Sequence, residues 1–230
     1  MFPSRGLFVT GTDTEVGKTY ICELLARQLV ADGHRVGVYK PAASGGEKQD
    51  GRIVCEDAVR LWEAADRPAD IDVVCPQMFL AAVAPHVAAR MEDRTVDDAL
   101  LLSGLTAWHD QCDFVIVEGA GGYFSPISDT KRVADVACEM GYPALVVTAN
   151  RLGTINQTLQ TLEAVRSYRG GLPLAGVVMN DVVSAGDDES LASNPDEVER
   201  WMGSPLLARV THSQSSLPSF DWCSLFGPPS

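Results

Sequence analysis

Residues 11–19 read GTDTEVGKT, and this stretch decides the fold because of what lies on either side of it. The apolar run at 6–11 (GLFVTG) predicts a buried strand, and the pattern of 18–33 predicts a helix. A glycine-bearing loop between a strand and a helix brings backbone amides and a helix N-terminus to one point. The stretch therefore predicts a site for the phosphates of a nucleotide.

Four residues of this loop have predicted roles. Gly11 and Gly17 permit the turn and a close approach of the ligand. Lys18 would reach the β- and γ-phosphates, and the Thr19 hydroxyl would bind magnesium. Five residues separate the first glycine from the Gly-Lys-Thr, whereas the standard phosphate loop has four. The loop is therefore expected to be a longer variant of the standard one.

The rest of the chain alternates between predicted strands and helices. Further strands are expected at 35–41, 113–119, 143–150, 174–181 and 205–212. Helices are expected at 55–65, 96–111, 130–140, 154–168 and 196–203. Continuous apolar strands separated by helices predict a mostly parallel central sheet with helices on both faces. The predicted fold is thus a three-layer α/β/α fold of the P-loop NTPase type.

We find no internal repeat and no linker, so we expect one domain over 1–230. Residues 43–51 are expected to form a polar loop, and 66–98 a less regular segment. The acidic, serine-rich segment 182–195 is expected to be mobile. The tail 213–230 is rich in serine and proline and is expected to be poorly ordered.

The composition limits the classes of function. The formal net charge of −13 disfavours binding to nucleic acid or to anionic membranes. No apolar run approaches the roughly 20 residues needed to span a bilayer, and the N-terminus does not resemble a signal peptide. The six cysteines include no CxxC pair and the four histidines are scattered, which predicts reduced thiols and no zinc site. We therefore expect a soluble cytoplasmic protein.

Two other strand ends carry candidate functional residues. Lys40 and Ser44 follow the second predicted strand, where Lys40 would face the phosphate loop. The chain has only four lysines against fourteen arginines, and a compact lysine suits a tight phosphate site. EGAGG at 118–122 places the Glu118 carboxylate after a buried strand, where it is a candidate magnesium ligand. Asp57 is a candidate for a further carboxylate at the site.

Each of these patterns also has a purely structural interpretation. Lys40 could be a surface lysine, 118–122 a tight turn with an incidental acid, and Asp57 a favourable charge at a helix N-terminus. NRLGTIN at 150–156 contains a helix start that suits a carboxylate, or Thr154 is an ordinary N-cap. The residues alone leave these alternatives open.

The combination of motifs resembles the dethiobiotin synthetase family. GTDTEVGKT, YKPxxSG, VEGAGG, LGTIN and MND occur in the family's order within residues 6–181. The resemblance implies ATP- and magnesium-dependent conversion of 7,8-diaminononanoate and CO2 to dethiobiotin, ADP and phosphate. It implies that a carbamate attacks the γ-phosphate to give a carbamic–phosphoric anhydride, and that the second amine then closes the ureido ring. It also implies a homodimer with the active site at the subunit interface.

The resemblance further implies roles for individual residues. The catalytic residues would be Thr14, Lys18, Lys40 and Ser44. The nucleotide would be bound by Glu15, Val16, Gly17, Lys18, Thr19, Tyr20, Asp57, Glu118, Gly119, Ala120, Gly121, Asn180 and Asp181, with Asn180 recognising the base. The magnesium ligands would be Thr19, Asp57 and Glu118. The substrate carboxylate bound in one subunit would lie on the other subunit's Leu152, Gly153, Thr154, Ile155 and Asn156.

Two other classes of protein fit the sequence less well. Partition-type nucleotide-switch ATPases carry an additional lysine early in the phosphate loop, where this chain has Asp13. Amidoligases of the cobyrinic-acid type need a glutamine-hydrolysing domain, for which we find no room. The chain departs from the dethiobiotin synthetase pattern near its C-terminus, where 208–213 reads ARVTHS. We therefore expect weak discrimination between ATP and other nucleoside triphosphates.

Overall fold

The computed structural model describes residues 1–182, 188–203 and 205–228. The strands there are β1 (Gly6–Gly11), β2 (Val36–Tyr39), β3 (Glu47–Gln49), β4 (Arg52–Val54), β5 (Phe114–Gly122), β6 (Ala144–Ala149), β7 (Leu174–Asn180) and β8 (Ala208–Val210). Six of them form one sheet in the order β2–β5–β1–β6–β7–β8, and every neighbouring pair is parallel. The predicted parallel sheet is confirmed.

The helices of the described ranges are α1 (Lys18–Ala31), α2 (Glu56–Ala64), α3 (Ile71–Val74), α4 (Pro85–Met91), α5 (Asp98–Ser103), α6 (Val133–Met140), α7 (Thr154–Ser167) and α8 (Ser190–Met202). The crossover through α1 moves along the sheet in one direction, and the crossovers through α6 and α7 move in the other. Because such crossovers are right-handed, α1 lies on one face, and α6 and α7 lie on the opposite face. Helices on both faces confirm the three-layer α/β/α fold.

The strand order brings the loop after β1 to the centre of the molecule. All residues of β1 and β6 are buried, as the continuous apolar runs predict. From β1 the chain passes to β2, which lies with β5 on one side of β1, whereas β6, β7 and β8 lie on the other side. Ligands of such sheets bind at the carboxyl ends of the strands where the direction changes. None of the helices in these ranges is long and apolar enough to cross a membrane.

The expected polar loop at 43–51 runs instead into a hairpin made by β3 and β4. Asp50 and Gly51 connect the two strands with φ angles of 49° and 82°. A two-residue hairpin turn of type I′ needs left-handed backbone at both positions, and Asp-Gly is a preferred sequence for it. The signal was therefore present in the sequence, but the two strands are too short and polar to suggest a hairpin.

The helix expected over 96–111 is interrupted. Its α-helical part ends at Ser103, and Gly104–Trp108 continues as a 3-10 helix. The Tyr39 hydroxyl donates to the Leu100 carbonyl at 2.9 Å, and a Cβ on Gly104 would lie 2.4 Å from that hydroxyl oxygen. The change from α-helix to 3-10 helix thus occurs where Tyr39 of β2 contacts this segment. The less regular segment 66–98 contains only the short helices α3 and α4.

Helix α8 begins at Ser190, earlier than the start expected at 196. Pro195, which lacks an amide donor, lies inside the helix. The Ser190 amide donates to Asp188 Oδ1 at 2.9 Å, which satisfies one free donor at the helix start. The segment 182–195 is therefore partly helical, while residues 183–187 lie outside the described residues.

The tail after Ser213 packs against the core, contrary to the expectation from its composition. Leu217, Trp222, Leu225 and Phe226 are each less than a tenth exposed. Gly227 and Gly6 exchange backbone hydrogen bonds of 2.9 and 3.2 Å, which attach the tail to the start of β1. The burial comes from four apolar side chains without regular spacing, so no periodic pattern revealed it.

Replacing Trp222 by Ala should lower the free energy of unfolding by about 3–5 kcal/mol, because it empties a buried aromatic site. Trp201→Ala is the matched control, since Trp201 is 63% exposed and should cost less than about 1 kcal/mol. Urea denaturation of both variants measures the difference. Equal stability of the two variants would mean that the tail does not pack as described.

Candidate active site

The carboxyl ends of β1, β2 and β5 open onto one cleft of about 570 Å³. The phosphate loop follows β1, Lys40 follows β2, and Glu118 lies in the middle of β5. Because β5 pairs with both other strands, Glu118 is held between the loop and Lys40. The expected site residues that line the cleft are Thr14, Glu15, Gly17, Lys18, Thr19, Tyr20, Lys40, Ser44, Asp57, Glu118, Ala120 and Gly121.

The phosphate loop has the backbone shape of an anion site. Glu15 has a φ of 59°, and Gly17 has a φ of 90° and is the N-cap of α1. Left-handed residues turn the chain sharply, so that successive amides converge. Lys18 Nζ donates to the Asp13 carbonyl at 3.1 Å. Burial lowers the pKa of Lys18, and the nearby Glu118 carboxylate opposes this shift.

An ion cluster of two buried side chains, Lys40 and Glu118, and the half-exposed Asp57 carboxylate lies beside the loop. Lys40 Nζ is 2.7 Å from Asp57 Oδ2 and 2.6 Å from Glu118 Oε1. Thr19 donates its hydroxyl to the same Glu118 oxygen at 2.8 Å. The side chains of Lys40 and Glu118 are 4% and 1% exposed. Lys40 is therefore not a surface lysine, and Glu118 is not an incidental acid in a turn.

The charges of this cluster stabilise one another. Burial disfavours the Lys40 ammonium, but Glu118 and Asp57 outweigh burial and raise the pKa of Lys40. Burial also disfavours the Asp57 carboxylate, but Lys40 outweighs burial and lowers the pKa of Asp57. Glu118 Oε2 is buried and has no hydrogen-bond partner among the described residues. A buried carboxylate oxygen without a donor is costly unless a ligand supplies one.

The donor set of the cluster suits one kind of metal ion. In the described parts of the chain, no three His, Cys, Asp or Glu side chains form a group that could hold a metal. Thr19, Asp57 and Glu118 instead offer one hydroxyl and two carboxylates around the orphaned Oε2 atom. Magnesium prefers such oxygen ligands and is commonly bound by one or two carboxylates together with phosphates.

Some expected nucleotide-binding residues do not line the cleft. Val16 is fully buried in the core. A Cβ on Gly119 would lie 2.7 Å from the Val133 side chain, so this glycine faces the interior. The Asp181 carboxylate is 3.1 Å from the Arg209 guanidinium, an ion pair at the end of the sheet.

The Asn180 side chain, at the end of β7, is hydrogen-bonded to the backbone of the phosphate loop. Its Nδ2 donates to the Val16 carbonyl at 3.1 Å, and its Oδ1 is buried without a partner among the described residues. A Cβ built on Gly17 would lie 2.0 Å from Asn180 Nδ2. The end of β7 and the phosphate loop are therefore in direct contact, which explains why glycine is needed at position 17.

The expected carboxylate segment, residues 152–156, lies at the start of α7 and outside the cleft. Gly153, with a φ of 94°, is the N-cap of α7. The alternative that Thr154 is an ordinary N-cap is wrong, because the Thr154 hydroxyl lies 2.8 Å from the Thr148 hydroxyl instead. Leu152 is 81% exposed, and its amide donates to Asp188 Oδ2 at 3.3 Å. A carboxylate oxygen of this chain thus already lies on one amide of the turn.

Sequence reasoning missed several residues at the cleft. Arg60 lines it and makes two hydrogen bonds, of 3.0 and 2.7 Å, to Glu23 Oε2. Its position three residues after Asp57, on the same helix face, was the available signal. The wall formed by 82–85 came from the irregular segment and gave no signal. Ser44 Oγ donates to the Val83 carbonyl in this wall at 2.5 Å.

Comparison with known proteins gives the same family as the sequence motifs. A family model described as AAA domain matches residues 5–218. An ATP-dependent dethiobiotin synthetase BioD of Rhodopirellula baltica is 43% identical over 224 residues, covering 93% of this chain and 86% of that protein. An ATP-dependent dethiobiotin synthetase BioD 1 of Escherichia coli (strain K12) is 37% identical over 207 residues, covering 90% of each chain.

Solved structures support the fold alone. A ParA family ATPase from Chlorobium tepidum TLS superposes with a TM-score of 0.52 at 16% identity, covering 92% of this chain and 85% of that one. The signal recognition particle receptor FtsY from Elizabethkingia anophelis gives a TM-score of 0.53 at 15% identity, covering 96% and 63%. The resemblance inferred from the five motifs is confirmed by the sequence relatives, and the chain belongs to the family of ATP-dependent dethiobiotin synthetases.

Proposed function

We propose that this chain catalyses the ATP- and magnesium-dependent closure of a ureido ring on 7,8-diaminononanoate with CO2, giving dethiobiotin, ADP and phosphate. The observation that carries the proposal is the buried Lys40, which lies between Asp57 and Glu118 and lines the same cleft as the phosphate loop. The related dethiobiotin synthetases support the choice of substrate. The geometry of the cleft supports the transfer of a phosphoryl group.

The nucleotide would lie with its phosphates on the amides of the loop at 14–19, beside the Lys18 ammonium. Thr19, Asp57 and Glu118 would hold the magnesium ion. The ion would offset the negative charge of the β- and γ-phosphates. The Glu118 Oε2 atom, which is buried and unpartnered among the described residues, fits this assignment because it needs a positive partner.

The transfer brings two anions together, namely the substrate carbamate and the γ-phosphate. Lys40 and Lys18 would offset their repulsion, because a cation in a buried site acts with little screening by water. The carbamate oxygen would attack the γ-phosphorus to form a carbamic–phosphoric anhydride and release ADP. The second amine would then attack the carbamate carbon, release phosphate and close the ring. Thr14 and Ser44 also line the cleft and would orient the carbamate.

The substrate carboxylate would be bound by the start of α7 of a second subunit, in a homodimer. Three observations support this arrangement. Residues 152–156 lie outside the cleft of their own chain, Leu152 is 81% exposed, and the Leu152 amide already donates to a carboxylate, that of Asp188. A helix N-terminus with free amides favours an anion.

The proposal as a whole is tested by incubating the protein with 7,8-diaminononanoate, bicarbonate and magnesium ATP and following the product by mass. Formation of dethiobiotin that requires all four components is the expected result. Release of phosphate without the diamine, and no dethiobiotin, would favour a nucleotide-switch ATPase instead.

Replacing Lys40 by Ala should reduce kcat for dethiobiotin formation at least a hundredfold, equivalent to about 3 kcal/mol, because the carbamate and γ-phosphate lose a buried cation. Lys48→Ala is the control, since Lys48 is exposed on the β3–β4 hairpin. It should leave the rate within about twofold. Near-normal turnover by Lys40→Ala would remove this lysine from the mechanism.

The protein should discriminate weakly between nucleoside triphosphates. The Asp181 carboxylate is paired with Arg209, and Asn180 Nδ2 is bound to the Val16 carbonyl, so neither group is fully available to read a base. We expect kcat/KM values for ATP, GTP and CTP to agree within about tenfold, or 1.4 kcal/mol. Steady-state kinetics with the three nucleotides measures this, and a strong preference for ATP would contradict it.

Replacing Gly17 by Ala should abolish nucleotide binding, because the new Cβ would displace Asn180 and distort the phosphate loop. Gly33→Ala is the matched control: Gly33 has a φ of 88°, close to the 90° of Gly17, but no atom lies within 4 Å of its would-be Cβ. Both variants carry the backbone strain of about 1–2 kcal/mol. Calorimetric titration with magnesium ATP should show binding only in the control, and equal affinities would exclude the clash.

A further inference from the structure

Helix α8 contains a gap in its backbone hydrogen bonds that another element fills. Pro195 has no amide hydrogen, so the Leu191 carbonyl, four residues earlier, loses its usual helical partner. The Asn150 side chain supplies the missing donor, because its Nδ2 lies 3.1 Å from the Leu191 carbonyl oxygen. The turn after β6 is therefore attached to the interior of α8.

Asn194, the residue before this proline, makes a second attachment to the same turn. Its Nδ2 donates to Asn150 Oδ1 at 2.9 Å and to the Arg151 carbonyl at 3.1 Å. Asn194 is 3% exposed and Asn150 is 1% exposed. Hydrogen bonds in such a buried site are strong, and a polar group left there without a partner would lower the stability of the fold. The hydrogen bonds of Asn150 and Asn194 together attach the turn at 150–151 to α8.

Asn150 extends the attachment to the next strand. Its backbone amide donates to the Asn180 carbonyl at 2.8 Å, and its Nδ2 also donates to Asp181 Oδ1 at 2.8 Å. The turn that follows Asn150 leads directly into Gly153, the N-cap of α7. The position of the amides at the start of α7 thus depends on a polar network anchored in α8.

We propose that Asn194 is a positioning residue for the substrate carboxylate, acting through Asn150 and the Arg151 carbonyl to orient the amides of 152–156. The inference rests on the proposed function, in which those amides bind the carboxylate. Asn194 itself touches neither substrate nor nucleotide. Its hydrogen bonds go to the turn and to Ser190 of its own helix.

The network predicts a selective effect. Loss of Asn194 releases the turn at Arg151, which carries the carboxylate-binding amides. The Arg151 guanidinium lies 3.5 Å from Asp13 Oδ2, so this release can reach the first part of the phosphate loop, but the later part has contacts of its own. Those contacts run through Lys18 to Asp13 and through Asn180 to Val16. A defect confined to the diamine therefore distinguishes positioning from a general loss of stability.

The first measurement is hydrogen–deuterium exchange, which does not depend on catalysis. Asn194→Ala should exchange the amides of 151–156 at least about tenfold faster than the unaltered chain, while the amides of 16–19, which do not contact the turn, keep their rates. Asn194→Asp has the same size but cannot donate when ionised, and should act in the same direction. Ser193→Ala is the control, because Ser193 is exposed on the same helix. Unchanged exchange at 151–156 in both Asn194 variants would overturn the proposal.

The second measurement is steady-state kinetics with both Asn194 variants. The KM for 7,8-diaminononanoate should rise about tenfold, with kcat and the KM for ATP within about twofold. An unchanged diamine KM, or equal losses for both substrates, would show a merely structural role and overturn the proposal. If the unaltered chain makes no dethiobiotin, the proposed function fails, and the exchange measurement still decides whether Asn194 holds the turn.

Discussion

The ion cluster of Lys40, Asp57 and Glu118 is the constraint on which the site depends. Burying an ammonium in a protein is unfavourable unless carboxylates compensate for it, and here two do so at 2.7 and 2.6 Å. Because each charge needs the others, the ends of β2 and β5 and the start of α2 must meet beside the phosphate loop. Thr19 adds α1 to the cluster through its hydroxyl bond to Glu118. The cleft is the space that remains between these elements.

A parallel sheet makes this meeting possible. Its carboxyl ends lie on one edge, and the strand order places β5 between β1 and β2. The same principle operates on the other side of β1. There Asn180 at the end of β7 contacts the loop, and the hydroxyls of Thr12, Thr148, Thr154 and Thr158 form a buried chain from the phosphate loop to the start of α7. Both proposed binding regions are therefore held by buried polar contacts on one edge of the sheet.

The sequence predicted those features that depend on local pattern. The apolar strands, the helix after Gly17 and the phosphate loop are encoded by neighbouring residues, and so were found. The features that were missed depend on distant partners. Asn150 compensates for Pro195 across the fold, so the true start of α8 could not be inferred from the helix alone. Similarly, Trp222 is buried in the main hydrophobic core, and the short helix that begins with it contacts α1, far away in the chain, which composition cannot reveal.

In the proposed mechanism the Lys40 ammonium, now balanced by two carboxylates, acts on the terminal phosphate of the nucleotide. A crystal structure with magnesium and a non-hydrolysable ATP analogue tests this most directly. We expect phosphates on the amides of 14–19, a magnesium ion touching Glu118 Oε2, and Lys40 Nζ within ion-pair distance of the γ-phosphate. Phosphates elsewhere in the cleft, or a Lys40 ammonium turned away from the γ-phosphate, would contradict it.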